Sequence, residues 1–291
     1  MVMSEEIRQK STPAGRLMIL ATAFLWSLAG VCVKSVTWGT MSIVATRSVI
    51  SLIILLISKR SVRLHISKIN LFAALCTSAT GLLYIEAIKL TTAGTAIVLQ
   101  YVAPILVLLY SILFQHHQAT KVEILLTAAA FAGCALSFAD SLDFTRLTGN
   151  ILALLSGFTF AGQIILMNRQ DCDTQDCTVL SNTISLLVSL PFFFTDPNRV
   201  MNTQNILWVL VLGVFQYGMA NLVFSKGIGR TDKIEASLLL MLEPILNPVW
   251  VALVNGEMMG PLAIAGSVIV IAAVTFYSLL PHLTHRKEQK A

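Results

Sequence analysis

Apolar residues run in long blocks along the whole chain, and most charges fall in the short intervals between them. A bilayer core takes about 20 apolar residues per helix. By that measure the blocks predict ten spans, near 15–34, 40–58, 69–89, 92–114, 121–139, 148–168, 177–195, 205–227, 233–254 and 260–280. No interval is long enough to form a separate soluble domain. With the N-terminus inside, the cytoplasmic segments hold Arg8, Lys10, Arg16, Lys59, Arg60, Arg63, Lys68, Lys121, Arg169, Lys226, Arg230, Lys233, Arg286, Lys287 and Lys290. The outer side keeps only Lys34, Lys89, Arg146 and Arg199. This bias sets the orientation, and an even number of spans returns the C-terminus to the cytoplasm.

One block departs from the pattern. Ile234–Leu253 carries a carboxylate, Glu243, and two prolines, Pro244 and Pro248, near its middle. Each proline removes one backbone hydrogen bond and kinks the rod, so the carbonyls of Leu240 and Pro244 lose their intrahelical donors. Glu243 and Asn247 share a neighbouring face of the same helix. Hydrocarbon tolerates neither free carbonyls nor a carboxylate unless they line a cavity or meet partners inside the bundle. A passive anchor has no use for such residues.

The block also has a counterpart. Shifting the sequence by 140 residues lays Thr91–Leu113 over Thr231–Leu253 and aligns Pro104-Ile105-Leu106 with Pro244-Ile245-Leu246. The same shift sets Glu86 over Lys226 and His117 over Glu257, and a shift of 134 sets Gly15 over Gly149 and Trp26 over Phe160. The chain therefore reads as two copies of a five-span unit, residues 1–145 and 146–291. Five is odd, so the second copy enters the membrane from the opposite side. Inverted repeats of this kind recur in secondary transporters, with the substrate site near the midplane where the halves meet.

These residues carry a resemblance. WSLAGVCVK at 26–34, Arg47 early in the second span, AIKLTTAGTAIVLQYVAPI at 87–105, and KGIGRTDKIEASLLLMLEPILNPVW followed by Gly256-Glu257 are similar to the EamA-type members of the drug/metabolite transporter superfamily. The resemblance covers essentially the whole chain. It implies a ten-helix bundle that exports, or sometimes imports, small metabolites such as amino acids. One departure stands out: the first half has Gln115-His116-His117 where the family usually has a short Gly-Glu turn.

Composition changes the picture little. The chain has 291 residues, 56% hydrophobic and 12% charged, with a mean hydropathy of +0.78. Ordinary soluble domains carry about 25% charged residues. The net charge of +5 reflects orientation signals in loops and tails rather than nucleic-acid binding. Five cysteines are an odd number and imply no disulfide framework, and the loose Cys172–Cys177 spacing is a weak basis for a metal site. The sequence has no HExxH, GxSxG or Walker loop. No enzyme chemistry, cofactor or metal is expected, and coupling to a proton gradient stays open.

Depth sorts the polar residues. Glu243 lies about ten residues into its span, roughly 15 Å deep, where it suits proton exchange or a substrate amine, or a structural pairing with Arg47. Arg47, about seven residues into the second span, can clamp a carboxylate bidentately, neutralise Glu243 or snorkel outward. Gln100, Gln163, Gln216, Asn221 and Asn247 bring neutral polar groups to similar depths, each able to serve helix packing as well. Trp26, Tyr84, Tyr101 and Tyr217 supply aromatic surface there. Glu86 and Lys226 are candidate gates at opposite interfaces, or simply snorkelling charges.

The reading is an all-α polytopic membrane protein with ten transmembrane helices in two inverted five-helix repeats and cytoplasmic termini. Its expected place is the inner membrane of a bacterium, as monomer or homodimer, with the bilayer and a small-molecule substrate as partners. Secondary transport of amino acids or related metabolites by alternating access, in the export direction, is the first expectation. Proton-coupled export of lipophilic cations is the alternative, and a membrane enzyme or sensor a distant one.

Overall fold

The structure is a computed structural model and describes residues 11–59, 63–255 and 260–288. Arg8, Lys10, Arg60, Gly256, Glu257 and Lys290 of the readings above lie outside the described residues. All regular elements described are helices. The first crossing is α1 (Pro13–Trp26) followed by α2 (Ala29–Ser35), with a turn at Ser27-Leu28 between them. Then come α3 (Thr40–Lys59), α4 (Lys68–Leu90), the pair α5 (Ala93–Gln100) and α6 (Ala103–Phe114), and α7 (Lys121–Ser137). After a short 3-10 turn follow α8 (Leu147–Met167), α9 (Thr174–Thr195) and α10 (Thr203–Val211). A π-helical segment, Leu212–Met219, joins α10 to α11 (Ala220–Ile228). The pair α12 (Lys233–Leu240) and α13 (Leu242–Asn255) and the long α14 (Pro261–Glu288) complete the bundle.

Helix starts follow local chemistry. Thr12 caps α1 through the Gly15 amide, and Pro13 occupies the first turn, where a missing N–H is harmless. Thr120 and Glu123 form a reciprocal capping box at α7. Thr92 caps α5 through the Thr95 amide, and Asp232 caps α12 through the Ile234 and Glu235 amides. Thr92 and Asp232 are equivalent under the 140-residue shift, as are the starts of the two helices. Both helices then stop at equivalent places, Gln100 and Leu240, just ahead of Pro104 and Pro244. Each repeat therefore holds one broken helix where its proline removes a donor.

Eight crossings are long and apolar enough to span a bilayer among the described residues. Two of the ten expected are not among them. One is α7, with 17 residues, and the other is the pair α12–α13, which parts at Met241 as α5–α6 parts at Tyr101-Val102. Leu17, Ile57, Phe114 and Leu253 point outward and are exposed, as a lipid-facing surface requires. Polar side chains collect inside: Ser181, Ser185 and Ser189 line one buried face of α9, and Ser78 meets Ser185 at 2.8 Å.

The repeats interlock. The start of α1 packs on the segment that precedes α12, and the Thr12 amide donates to Arg230 O at 2.9 Å. A Cβ on Gly15 would lie 2.5 Å from Arg230 O, and a Cβ on Gly149 would lie 2.8 Å from Thr91 Cβ. Gly15 and Gly149 correspond in the repeat, as do Thr231 and Thr91. Each half thus begins against the other half's capped turn, at opposite ends of the bundle. At the Gly15 end, Arg16 Nε pairs with Glu235 at 2.8 Å, and Lys59 pairs with Asp176. At the other end, Gly39 N donates to Asp196 at 2.8 Å, and Trp38 Nε1 donates to Val200 O at 2.9 Å.

Candidate functional site

Proline placement makes the centre of this bundle. Where α5 gives way to α6, Tyr101 is fully buried and directed at the other broken helix. Its hydroxyl oxygen lies 2.7 Å from Glu243 Oε2 and 2.8 Å from the Leu240 carbonyl oxygen. Leu240 O is the carbonyl whose intrahelical donor Pro244 lacks. The two halves therefore meet through side chain and backbone at one point.

Beside that point lies a cavity of about 60 Å³. One water needs about 10–15 Å³ by the same measure, so the space suits several waters or part of a small solute. Glu243 from α13, Gln100 from α5 and Trp26 from the end of α1 line it. Arg47 from α3, Gln163 and Phe160 from α8, and Asn221 from α11 line it too. The π-helical segment contributes Gln216 and Tyr217, consistent with the frequent use of such segments at functional sites.

Arg47 is 4% exposed, so it does not snorkel. Its guanidinium lies 3.9 Å from the centre of the Tyr217 ring, a cation–π arrangement. It forms no ion pair with Glu243, and its Nε and Nη2 atoms have no hydrogen-bond partner. Gly81 makes room for it: a Cβ there would come within 2.5 Å of Nη2. Gln216 Oε1, Tyr217 Oη and Asn221 Nδ2 are also buried and without partners. Buried polar atoms are normally satisfied. Here one cation, one carbonyl oxygen, one hydroxyl and one amide nitrogen on the same lining are free to meet complementary groups.

Trp26 packs between Phe160 and Phe224, at centroid distances of 5.9 and 5.0 Å, and walls the cavity. Tyr101 stands behind Glu243 rather than on the lining. Asn247 belongs to α13, and its side chain lies outside the described part of the structure. Glu86 and Lys226 stand away from the cavity, and Lys226 donates to Ser58 Oγ at 3.3 Å, tying α11 to the end of α3. His117 meets Glu123 at 3.2 Å, well apart from the cavity lining.

One wall is legible in the sequence only at Tyr84. Thr77, Thr80, Gly81 and Tyr84 of α4 all line the cavity. They recur at three- and four-residue intervals, which is the spacing of one helical face. Thr80 Oγ1 also meets Thr159 Oγ1 of α8 at 2.8 Å. That polar stripe through an otherwise apolar helix is the signal that marks this wall.

Comparison with known proteins completes the picture. One crystal structure of a protein is similar to this chain with a TM-score of 0.78 and 17% identity, over 93% of this chain and 98% of that one; the likeness concerns the fold. No curated protein sequence matches. The model of the EamA-like transporter family matches twice, over residues 13–139 and 147–279. Two matched repeats, a bundle of apolar helices and a polar cavity at its centre agree, and the chain belongs to the EamA-like transporter family of multi-pass membrane proteins.

Proposed function

We propose that this protein is a secondary transporter that carries small zwitterionic metabolites, amino acids or related compounds, out of a bacterial cell by alternating access. The observation that carries this reading is the buried Arg47 guanidinium, with two unpartnered nitrogens, on the same cavity wall system as the Glu243 carboxyl. A bidentate contact from Arg47 suits a carboxylate, and Glu243 suits an ammonium group. The amides of Gln216 and Asn221 and the Tyr217 hydroxyl then orient the polar head, while Trp26 and Phe160 accept an apolar side chain.

The membrane arrangement follows from the same reading. We take α7 and the divided α12–α13 as the fifth and ninth of ten spans, in halves of residues 1–145 and 146–291. The arginine and lysine bias puts both termini in the cytoplasm, in the inner membrane of a bacterium. Rocking of one half against the other exposes the cavity to each side in turn. Glu86 and Lys226 then sit at the interfaces where such motion opens and closes the path.

A second reading, export of lipophilic cations, draws on the aromatic wall of Trp26, Tyr84, Phe160 and Tyr217. The uncompensated charge of Arg47 counts against it. Counterflow in proteoliposomes separates the two. Exchange of labelled amino acids that is lost in Arg47→Gln supports the proposal. Uptake of a lipophilic cation that survives or rises in Arg47→Gln, with no amino-acid exchange, supports the second reading.

A further inference from the structure

Three buried oxygens lie in a row where the two broken helices meet. They are Glu243 Oε2, Tyr101 Oη and Leu240 O, with separations of 2.7 and 2.8 Å. A phenol carries one proton and can donate one full hydrogen bond. An ionised carboxylate and a carbonyl are acceptors only. With Glu243 ionised, the row holds one proton for two short contacts, and one contact sets lone pair against lone pair. With Glu243 protonated, its O–H donates to Tyr101 Oη, and Tyr101 O–H donates to Leu240 O. Both contacts are then hydrogen bonds of ordinary length.

The surroundings point the same way. Arg47 and Tyr217 reach the same cavity, but Arg47 makes no ion pair with Glu243. Tyr84 of α4 and Cys134 of α7 are the other titratable neighbours, and both are buried. Arg16 of α1 is engaged with Glu235 at the end of the bundle. Among the described residues, α6 and α8 bring no charged side chain to the cavity. An ionised Glu243 therefore has a phenol as its one hydrogen-bond partner here.

We propose that Glu243 holds a proton in this conformation, and that Tyr101 is the positioning residue that links that proton to the break between α12 and α13. The step balances simply. Glu243 gives its proton to water entering the cavity. The Tyr101 O–H bond rotates from Leu240 O to the new carboxylate, no covalent bond of the phenol breaks, and the Leu240 carbonyl loses its hydroxyl donor. Loss of the proton thus removes one restraint from the helix break contributed by the second repeat. This rests on the transport reading above and adds the exchanged ion, a proton moving opposite to substrate.

Infrared spectroscopy of the purified full-length protein, with carbon-13-labelled glutamate, tests the proton without any substrate. A protonated-carboxylic-acid C=O band is expected at neutral pH. It should move with the label, vanish in Glu243→Gln and shift in Tyr101→Phe. The same band titrated in the wild-type protein by raising pH needs no variant. In proteoliposomes a pH gradient should drive exchange, and Tyr101→Phe should displace the pH profile of flux while a structural lesion would lower flux at every pH. Absence of a Glu243 acid band at neutral pH overturns the proposal, even if amino acids are transported. Presence of the band without amino-acid flux upholds it and overturns only the substrate.

Discussion

The guanidinium of Arg47 lies over the ring of Tyr217, 3.9 Å from its centre, and so bridges the two repeats inside the membrane. Arg47 belongs to α3 of the first half and Tyr217 to the π-helical segment of the second. The ring holds the guanidinium charge, and its Nε and Nη2 atoms, without hydrogen-bond partners, are left for a carboxylate. A desolvated cation–π contact contributes about 0.5–2 kcal/mol. Tyr217→Leu should therefore raise KM for a carboxylate substrate about 2- to 30-fold, with a smaller change in kcat. Arg47→Lys should be nearly as damaging as Arg47→Gln, because a point charge cannot reproduce the stacked fork. Counterflow kinetics with an unaltered circular-dichroism melt checks both.

Gly81 offers a more delicate probe. A methyl group at this position meets Arg47 Nη2 at 2.5 Å, and the far end of a flexible side chain can give way. Gly81→Ala should displace the guanidinium without unfolding the bundle. Expected is weaker binding of carboxylate substrates with unchanged thermal stability. Equal affinity in Gly81→Ala and wild type would remove Arg47 from the binding geometry.

The turn after α6 holds a stability prediction of a different kind. His116 adopts φ of 52°, the left-handed region that costs an L residue about 1–2 kcal/mol. It stands where the second repeat has Gly256 under the 140-residue shift. Glycine adopts this backbone freely but loses about 0.5–1 kcal/mol more chain entropy on folding. His116→Gly should then stabilise the protein by about 0.5–1 kcal/mol. Reversible unfolding in mixed micelles measures it, and destabilisation would contradict the turn geometry.

Acid should loosen one end of the bundle first. Burial pushes the Asp196 carboxyl up, but the backbone amides of Asn198 and Gly39 hydrogen-bond to it and the net displacement is downward. A depressed carboxyl pKa stabilises the folded state fully above the unfolded value, about 3.9, and that contribution is lost as pH falls through the folded value. Asp196 ties the loop before α3 to the loop after α9. Wild type should therefore lose stability below about pH 4 more steeply than Asp196→Ala. Thermal melts across acidic pH compare the two, and parallel profiles would exclude this carboxylate as the acid-sensitive link.

Much of this architecture is legible in the sequence because bilayer thickness imposes a length on each apolar block. The broken helices are legible for a second reason: Pro104 and Pro244 state where a donor is missing. Glu243 and Arg47 stand out through the cost of burying charge. Other features have no local signal. LGVFQYGM at 212–219 reads like any apolar helix, and nothing local announces its π geometry or the close approach of Gly213 and Gly218 to Ile50 and Ile54 of α3. The depth of Arg47 suits an ion pair, a snorkel or a clamp equally well. Only the placement of Tyr217 and Gly81 around it distinguishes them. Tyr101 stands out by its depth, yet its contact with Leu240 needs both halves in place.

The packing of α1 on the turn before α12 also sets a schedule for making the protein. Thr12 and Arg230 are 218 positions apart. At about 5–20 residues per second, the first helix waits roughly 10–40 s in the membrane before its partner is synthesised. Over that interval Arg47 has no Tyr217 beneath it. The newborn chain must hold the cation of α3 in the membrane ahead of the ring that later lies against it. Closing the bundle through partners so far apart in the chain therefore makes the cost of burying Arg47 fall due before the second repeat exists to offset it.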